Sequence, residues 1–170
     1  PRINAGGRVG KCSHGAKLFL SKDSKETFKI ASELEEFNKQ RKEIENETIN
    51  KIEGKIKIDP NDPVIFLSGH KWHGGIIGII ASRLKEKYNK PAIIISVENG
   101  LGKASARSIL GFDIGSVIIS AVQKNLLKRG GGHKMAGGFT IDENKVLDFK
   151  DYVNKKFLKH RKNLFKNDKL

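Results

Sequence analysis

The nine residues from Gly130 to Gly138, GGGHKMAGG, hold five of the chain's 18 glycines and one histidine, and no other stretch narrows the possible folds as much. Without a Cβ, consecutive glycines let backbone N–H groups converge on a ligand oxygen, and a following helical turn adds free amides. A phosphate nest is one reading, with Gly131 and Gly132 as its backbone donors; a flexible turn between helix and strand is the other. His133 and Lys134 favour the first, because an imidazole and an ammonium supply donors that a nest of amides lacks for a whole phosphate group.

Charge points to the same class of ligand. Lys and Arg total 33 against 19 acidic residues, for a formal charge of +14, which suits a polyanionic partner such as nucleic acid. A basic surface without a ligand has the same composition. A single cysteine, Cys12, excludes an internal disulfide and a cysteine-based zinc cluster, and fits a reducing cytoplasm. No apolar run reaches the roughly 20 residues that span a bilayer, so no membrane partner is expected. The chain starts at Pro1 rather than Met, as a piece of a longer protein would.

The periodicity predicts an α/β chain. Pro1 to Gly10 (PRINAGGRVG) is turn-rich, with too few apolar residues for a core element; His14 to Leu20 fits a short helix. From Ser24 to about Glu53 there is no Gly or Pro, and Phe28, Ala31, Leu34, Phe37, Ile44 and Ile52 recur at helical intervals. Such a helix is roughly 45 Å long, more a connector than a core element. It carries six basic and eight acidic residues, so the positive charge lies elsewhere. Gly54 to Pro63 breaks it and marks a domain boundary.

Beyond the boundary, Val64–Ser68 and Ala92–Val97 are expected as buried strands flanking a helix from Gly75 to Tyr88, a parallel unit. Lys103–Ile109 alternates as a strand with one wet face. Asp113 is placed to cap a helix to Lys128, Phe139–Ile141 to form a further strand, and Asn144 to about His160 a last helix with Val146, Phe149, Val153 and Phe157 on one stripe. Lys150 to Leu170 holds eight basic and two acidic residues, the pattern of a solvated tail.

Three groups of residues could carry chemistry. His70-Lys71-Trp72-His73 follows the first strand, where ligands commonly bind, and His73 near the helix start is its best candidate. His70 and His73 at i and i+3 could share a metal, but no carboxylate or cysteine lies nearby in sequence; Trp72 suits a core cap or a base-stacking surface. Arg83 lies in an otherwise core-like helix, either snorkelling to solvent or aimed at an anion. Ser105 and Arg107, with Lys103, leave one face of their strand, and a hydroxyl beside a forked guanidinium suits a single phosphate.

With these residues in view, the chain resembles the RecJ family of single-strand-specific 5′ to 3′ DNA exonucleases of the DHH superfamily. PRINAGGR at Pro1 to Arg8 resembles the closing motif of the DHH catalytic domain, and FNKQRKEIE at Phe37 to Glu45 its interdomain helix. HKWHGGIIGIIASRL at His70 to Leu84, GKASARSI at Gly102 to Ile109 and GGHKMAGG at Gly131 to Gly138 resemble successive motifs of the DHH-associated domain. Gly137 and Gly130 depart from the family pattern, which usually has Ala and an aromatic there.

The resemblance implies the end of a DHH domain at 1–23, an interdomain helix at 24–53, a DHH-associated domain at 54–160 built on a mixed sheet flanked by helices, and a basic tail at 161–170. It implies that Arg83, Ser105 and Arg107 hold DNA phosphates, that His133 faces the catalytic cleft in an assisting role, and that Arg2 and Asn4 line that cleft from the other side. It also implies Mn²⁺ or Mg²⁺ held by the amino-terminal DHH domain, whose metal-binding motifs this sequence lacks, so that the chain alone binds single-stranded DNA without cutting it. A DHH-superfamily oligoribonuclease or cyclic-dinucleotide phosphodiesterase, and a non-catalytic nucleic-acid-binding remnant, are the competing readings.

Overall fold

The computed structural model describes residues 2–55, 59 and 61–167, with side chains left out at 53–55 and 162–167. The chain divides after Ile56 into two compact units. The linker expected at Gly54 to Pro63 lies partly outside the described residues.

The first unit holds helices α1 (Arg2–Val9), α2 (His14–Leu20) and α3 (Ser24–Lys55). Helix α1 corrects the expectation of a turn-rich segment. Its glycines are poor helix formers, but Gly6 allows close packing, since a Cβ there would fall 3.1 Å from Leu34 Cδ2 of α3; just past the helix, a Cβ on Gly10 would fall 2.6 Å from the Phe37 ring. Ala5 and Leu34 are buried. The amino-terminal half of α3 is therefore a core element of this unit rather than a free connector. His14 of α2 reaches across to α3, its Nε2 lying 2.5 Å from Glu33 Oε2 and its ring edge-on to Phe37.

The second unit is a five-stranded mixed sheet in the order β1-β2-β3-β5-β4, with β1 (Ile65–His70) parallel to β2 (Ala92–Glu98) and all other pairings antiparallel. Helix α4 (Ile77–Tyr88) supplies the crossover between β1 and β2 and packs over β2 and β3 (Leu101–Arg107). On the opposite face, α5 (Ile114–Gln123) lies against β4 (Arg129–His133) and β5 (Ala136–Asp142), and α6 (Val146–Asn167) closes the core with Val146, Phe149, Val153 and Phe157. That core also takes in Ile93, Ile95 and Val97 of β2, Ala104 and Ala106 of β3, and Phe139 and Ile141 of β5.

Local chemistry sets the element ends. Asp113 caps α5 by accepting from the Ser116 amide at 3.0 Å, as expected. Left-handed residues Asn89 and Asn125 stop α4 and α5, so α5 ends at Gln123 rather than Lys128. Helix α6 runs past His160 to Asn167, taking most of the expected basic tail into a helix; residues 168–170 lie outside the description. Among the described residues no helix is long and apolar enough to cross a membrane.

Candidate nucleic-acid interface

Strand β3 alternates strictly. Gly102, Ala104 and Ala106 are buried in the core, so Lys103, Ser105 and Arg107 leave the other face. Helix α4 crosses that face close to the strand because residue 78 is glycine: a Cβ there would stand 3.1 Å from Ser105 Oγ and 3.2 Å from Arg107 Nη2. One turn on, the Ser82 hydroxyl accepts from Arg107 Nε at 3.2 Å and donates to the Gly78 carbonyl at 3.1 Å. Arg107 Nη1 donates to Ser105 Oγ at 3.0 Å and to the Ala106 carbonyl at 2.9 Å. The guanidinium is thus held through Nε and Nη1, half-buried, before any ligand arrives.

The strand register carries this face outward. Ser105 pairs with Gly138, which pairs with Gly131; Arg107 pairs with Ala136, which pairs with His133; Lys103 pairs with Thr140, which pairs with Arg129. Residues directly opposite one another point to the same side of a sheet, so these nine side-chain positions form three parallel rows. The middle row beyond Ser105 is bare backbone, and a Cβ on Gly131 would meet nothing within 4 Å. Adjacent rows lie about 6.7 Å apart and adjacent strands about 4.8 Å. A glycine floor therefore runs between one row ending in Arg107 and His133 and another ending in Lys103 and Arg129.

This arrangement corrects the reading of Gly130 to Gly138 as a nest leading into a helix. The stretch is a β-hairpin, and none of its glycines has positive φ. Glycine is needed there for close approach instead. A Cβ on Gly130 would lie 2.6 Å from Phe139 Cβ, one on Gly132 would strike the Ala136 carbonyl, and one on Gly137 would strike Ile118 of α5. Gly115 of α5 completes the fit, since a Cβ there would sit 2.9 Å from the backbone of Gly132 and His133. The first amides of α5 are already occupied, Ile114 N–H by the Lys134 carbonyl and Ser116 N–H by Asp113.

Two histidines share one local device. The Met135 amide donates to His133 Nδ1 at 3.3 Å, and the Gly75 amide donates to His73 Nδ1 at 3.1 Å. A nitrogen that accepts carries no proton, so Nε2 is the ring nitrogen left to donate, and both side chains are exposed. His70 does not join His73; its Nε2 stands 3.4 Å from Glu143 Oε1. Trp72 lies with its ring against Gly69, and its carbonyl accepts from Ser96 Oγ at 2.6 Å, which fits the core-cap reading.

The remaining expected site residues are less concentrated. Arg83 is exposed on the stripe of α4 next to that of Gly78 and Ser82. Arg2 and Asn4 are exposed on α1 of the first unit, where Arg2 pairs with Glu35 of α3. Sequence reading missed Gly78, Ser82, Thr140 and Arg129. The i, i+4 spacing of Gly78 and Ser82 was a visible hint, whereas Thr140 and Arg129, joined by an Arg129 Nε to Thr140 Oγ1 bond of 3.3 Å, are brought to the site by strand register alone. Among the described residues there is no group of three or more His, Cys, Asp or Glu side chains that could hold a metal ion.

The DHHA1 domain family matches residues 61–159. The chain is 36% identical over 165 residues to the single-stranded-DNA-specific exonuclease RecJ of Haemophilus influenzae, covering 91% of this chain and 28% of that protein. It is 33% identical over 160 residues to the RecJ of Bacillus subtilis, covering 91% of this chain and 20% of that one. The crystal structure of RecJ from Thermus thermophilus in complex with Mn²⁺ superposes with a TM-score of 0.83 at 32% identity, over 94% of this chain and 23% of that chain. The chain thus spans about a quarter of the length of the relatives it matches. It belongs to the DHHA1 domain family, and its homology to the RecJ single-stranded-DNA-specific exonucleases extends over nearly its whole length.

Proposed function

We propose that this chain is the substrate-binding portion of a metal-dependent, single-strand-specific 5′ to 3′ DNA exonuclease, with Ser105 and Arg107 seating a phosphate near the 5′ end. The observation that carries this reading is the guanidinium of Arg107, braced by Ser82, Ser105 and the Ala106 carbonyl at the edge of an open glycine floor. His133, in the same row, offers Nε2–H to a phosphate oxygen rather than acting as a base. His73 and Arg83 extend the contact along α4, Gly131 and Gly132 let the sugar-phosphate backbone lie close to the sheet, and Arg2 and Asn4 belong to the catalytic side of the cleft.

In this reading residues 1–23 are the end of a DHH catalytic domain, 24–53 the interdomain helix and 54–160 the DHH-associated domain. The Mn²⁺ or Mg²⁺ named with the solved relatives is held by Asp and His ligands of the DHH domain, in a cytoplasmic enzyme of DNA repair and recombination. The test is fluorescence anisotropy with a 5′-phosphorylated single strand at moderate salt. Losing one charge-assisted contact costs about 1.5 to 3 kcal/mol, so Arg107→Ala should weaken binding at least tenfold. Equal affinity of variant and parent excludes the clamp. Incubated with Mn²⁺, the chain alone should release no mononucleotides, and release should begin when the upstream domain is added.

A further inference from the structure

The row formed by Lys103, Thr140 and Arg129 has no role in the phosphate seat around Arg107, yet it lies on the same face two rows away. Lys103 and Arg129 are exposed, and Arg129 is held over β5 by its bond to Thr140 Oγ1 at 3.3 Å. That bond uses Nε and not the paired Nη1 and Nη2 groups. Lys103, two strands across, makes no ion pair among the described residues. The row between the two cationic rows is Ser105, Gly138 and Gly131, where two of three positions carry no side chain. Four residues of rise, about 13 Å, separate the row of Lys103 from that of Arg107, on the order of two nucleotide steps of an extended strand.

We propose that Lys103 and Arg129, with the Thr140 hydroxyl between them, form a second phosphate seat that takes the backbone phosphate two nucleotide steps on in a single-stranded nucleic acid lying across the glycine floor. The proposal rests on the reading of Ser105 and Arg107 as the first seat. Two cations reaching inward from opposite ends of a row neutralise one phosphate without contacting a base, so the seat adds affinity and no sequence preference. The bare middle row is where the sugar-phosphate backbone between the two seats passes. A side chain at Gly131 or Gly138 would stand in its way.

The experiment compares ligands that fill one seat or two. Binding of a 5′-phosphorylated thymidine mononucleotide is followed by chemical-shift titration, and that of a 5′-phosphorylated thymidine tetranucleotide by anisotropy across a salt series, using the whole chain. The double variant K103Q/R129Q should bind the tetranucleotide about tenfold more weakly, and its log–log salt slope should be shallower by roughly 0.7, the value for one phosphate of a single strand. Its affinity for the mononucleotide should be unchanged. Arg129→Lys, which keeps the charge, should keep the slope. An unchanged tetranucleotide affinity and slope, or an equal loss on both ligands, overturns the second seat, as does failure of the parent chain to bind the tetranucleotide. Failure of the first seat looks different: Arg107→Ala would then leave mononucleotide binding unaltered.

Discussion

Arg107 Nε of strand β3 donates to the Ser82 hydroxyl of helix α4 across 3.2 Å, joining residues 25 positions apart in sequence into one phosphate-facing unit. The bond fixes the plane of the guanidinium, so less rotamer entropy is lost when an anion docks. It also ties the helix to the strand at the point where Gly78 lets them approach.

Ser82→Ala should therefore lower affinity for 5′-phosphorylated single strands while barely moving the melting temperature. A hydrogen bond to a charged group contributes about 1.5 to 3 kcal/mol; because this one acts on the ligand only through the orientation of Arg107, the expected loss is a part of that, roughly three- to tenfold in affinity. Ser82→Thr should restore most of it. The informative readout is the affinity ratio between 5′-phosphorylated and 5′-hydroxyl oligonucleotides, which a purely structural serine would leave unchanged.

Gly115 and Gly131 should respond oppositely to alanine. At Gly115 the new methyl meets the backbone of Gly132 and His133 at 2.9 Å, and neither partner can swing aside. Gly115→Ala should destabilise the chain by about 1 to 3 kcal/mol, as overpacking does, measured as a lower urea midpoint. At Gly131 nothing lies within 4 Å and φ is not positive. Gly131→Ala should leave the urea midpoint nearly unchanged and weaken oligonucleotide binding by narrowing the floor.

Asp113 makes the stability of α5 depend on acid. The Ser116 amide, aided by its hydroxyl and by Lys134, holds the Asp113 carboxyl below the usual carboxylate range despite partial desolvation. A folded-state value below the unfolded one means that the stabilisation is present above the unfolded pKa and is lost as pH falls through the folded one. Asp113→Ala should cost about 1 kcal/mol at neutral pH, the usual loss for a helix cap. The difference between variant and parent should shrink below about pH 4. Denaturant unfolding at neutral pH and at about pH 3 checks both the size and the sign; a gap that widens in acid would contradict the cap assignment.

In the first unit, the bond from His14 holds the Glu33 carboxyl below its ordinary range, with smaller contributions from Lys11 and Lys29. Replacing His14 by Phe keeps a ring beside Phe37 and removes the donor. The Glu33 carboxyl, followed by carbon-13 chemical shift, should then titrate closer to the ordinary carboxylate range. A Glu33 titration that does not move would mean that the pair does not persist in solution.

Much of the architecture was readable before any coordinates. Apolar runs at Val64 and Ala92 marked buried strands, the stripe of Val146, Phe149, Val153 and Phe157 marked the last helix, and Asp113 announced its own cap. Arg2 to Val9 was not legible, because Gly6 and Gly7 argue locally against a helix and only packing against Leu34 of α3 reverses that preference. The glycine stretch misled for a related reason. Glycine content signals freedom at positive φ and close approach equally, and only the neighbours at Phe139, Ile118 and Gly115 show that approach is what these positions need.

By itself the sequence determined most of the elements, the strong positive charge and the shared face of Ser105 and Arg107, because these follow from local periodicity and the two-residue repeat of a strand. Only the tertiary structure decided that Ser82 braces Arg107, that His133 shares a row with it, and that Arg129 meets Thr140 beside the same glycine floor. Those relationships depend on strand order and register, which arise from burial of the whole apolar face at once and leave no trace in the spacing of any one segment.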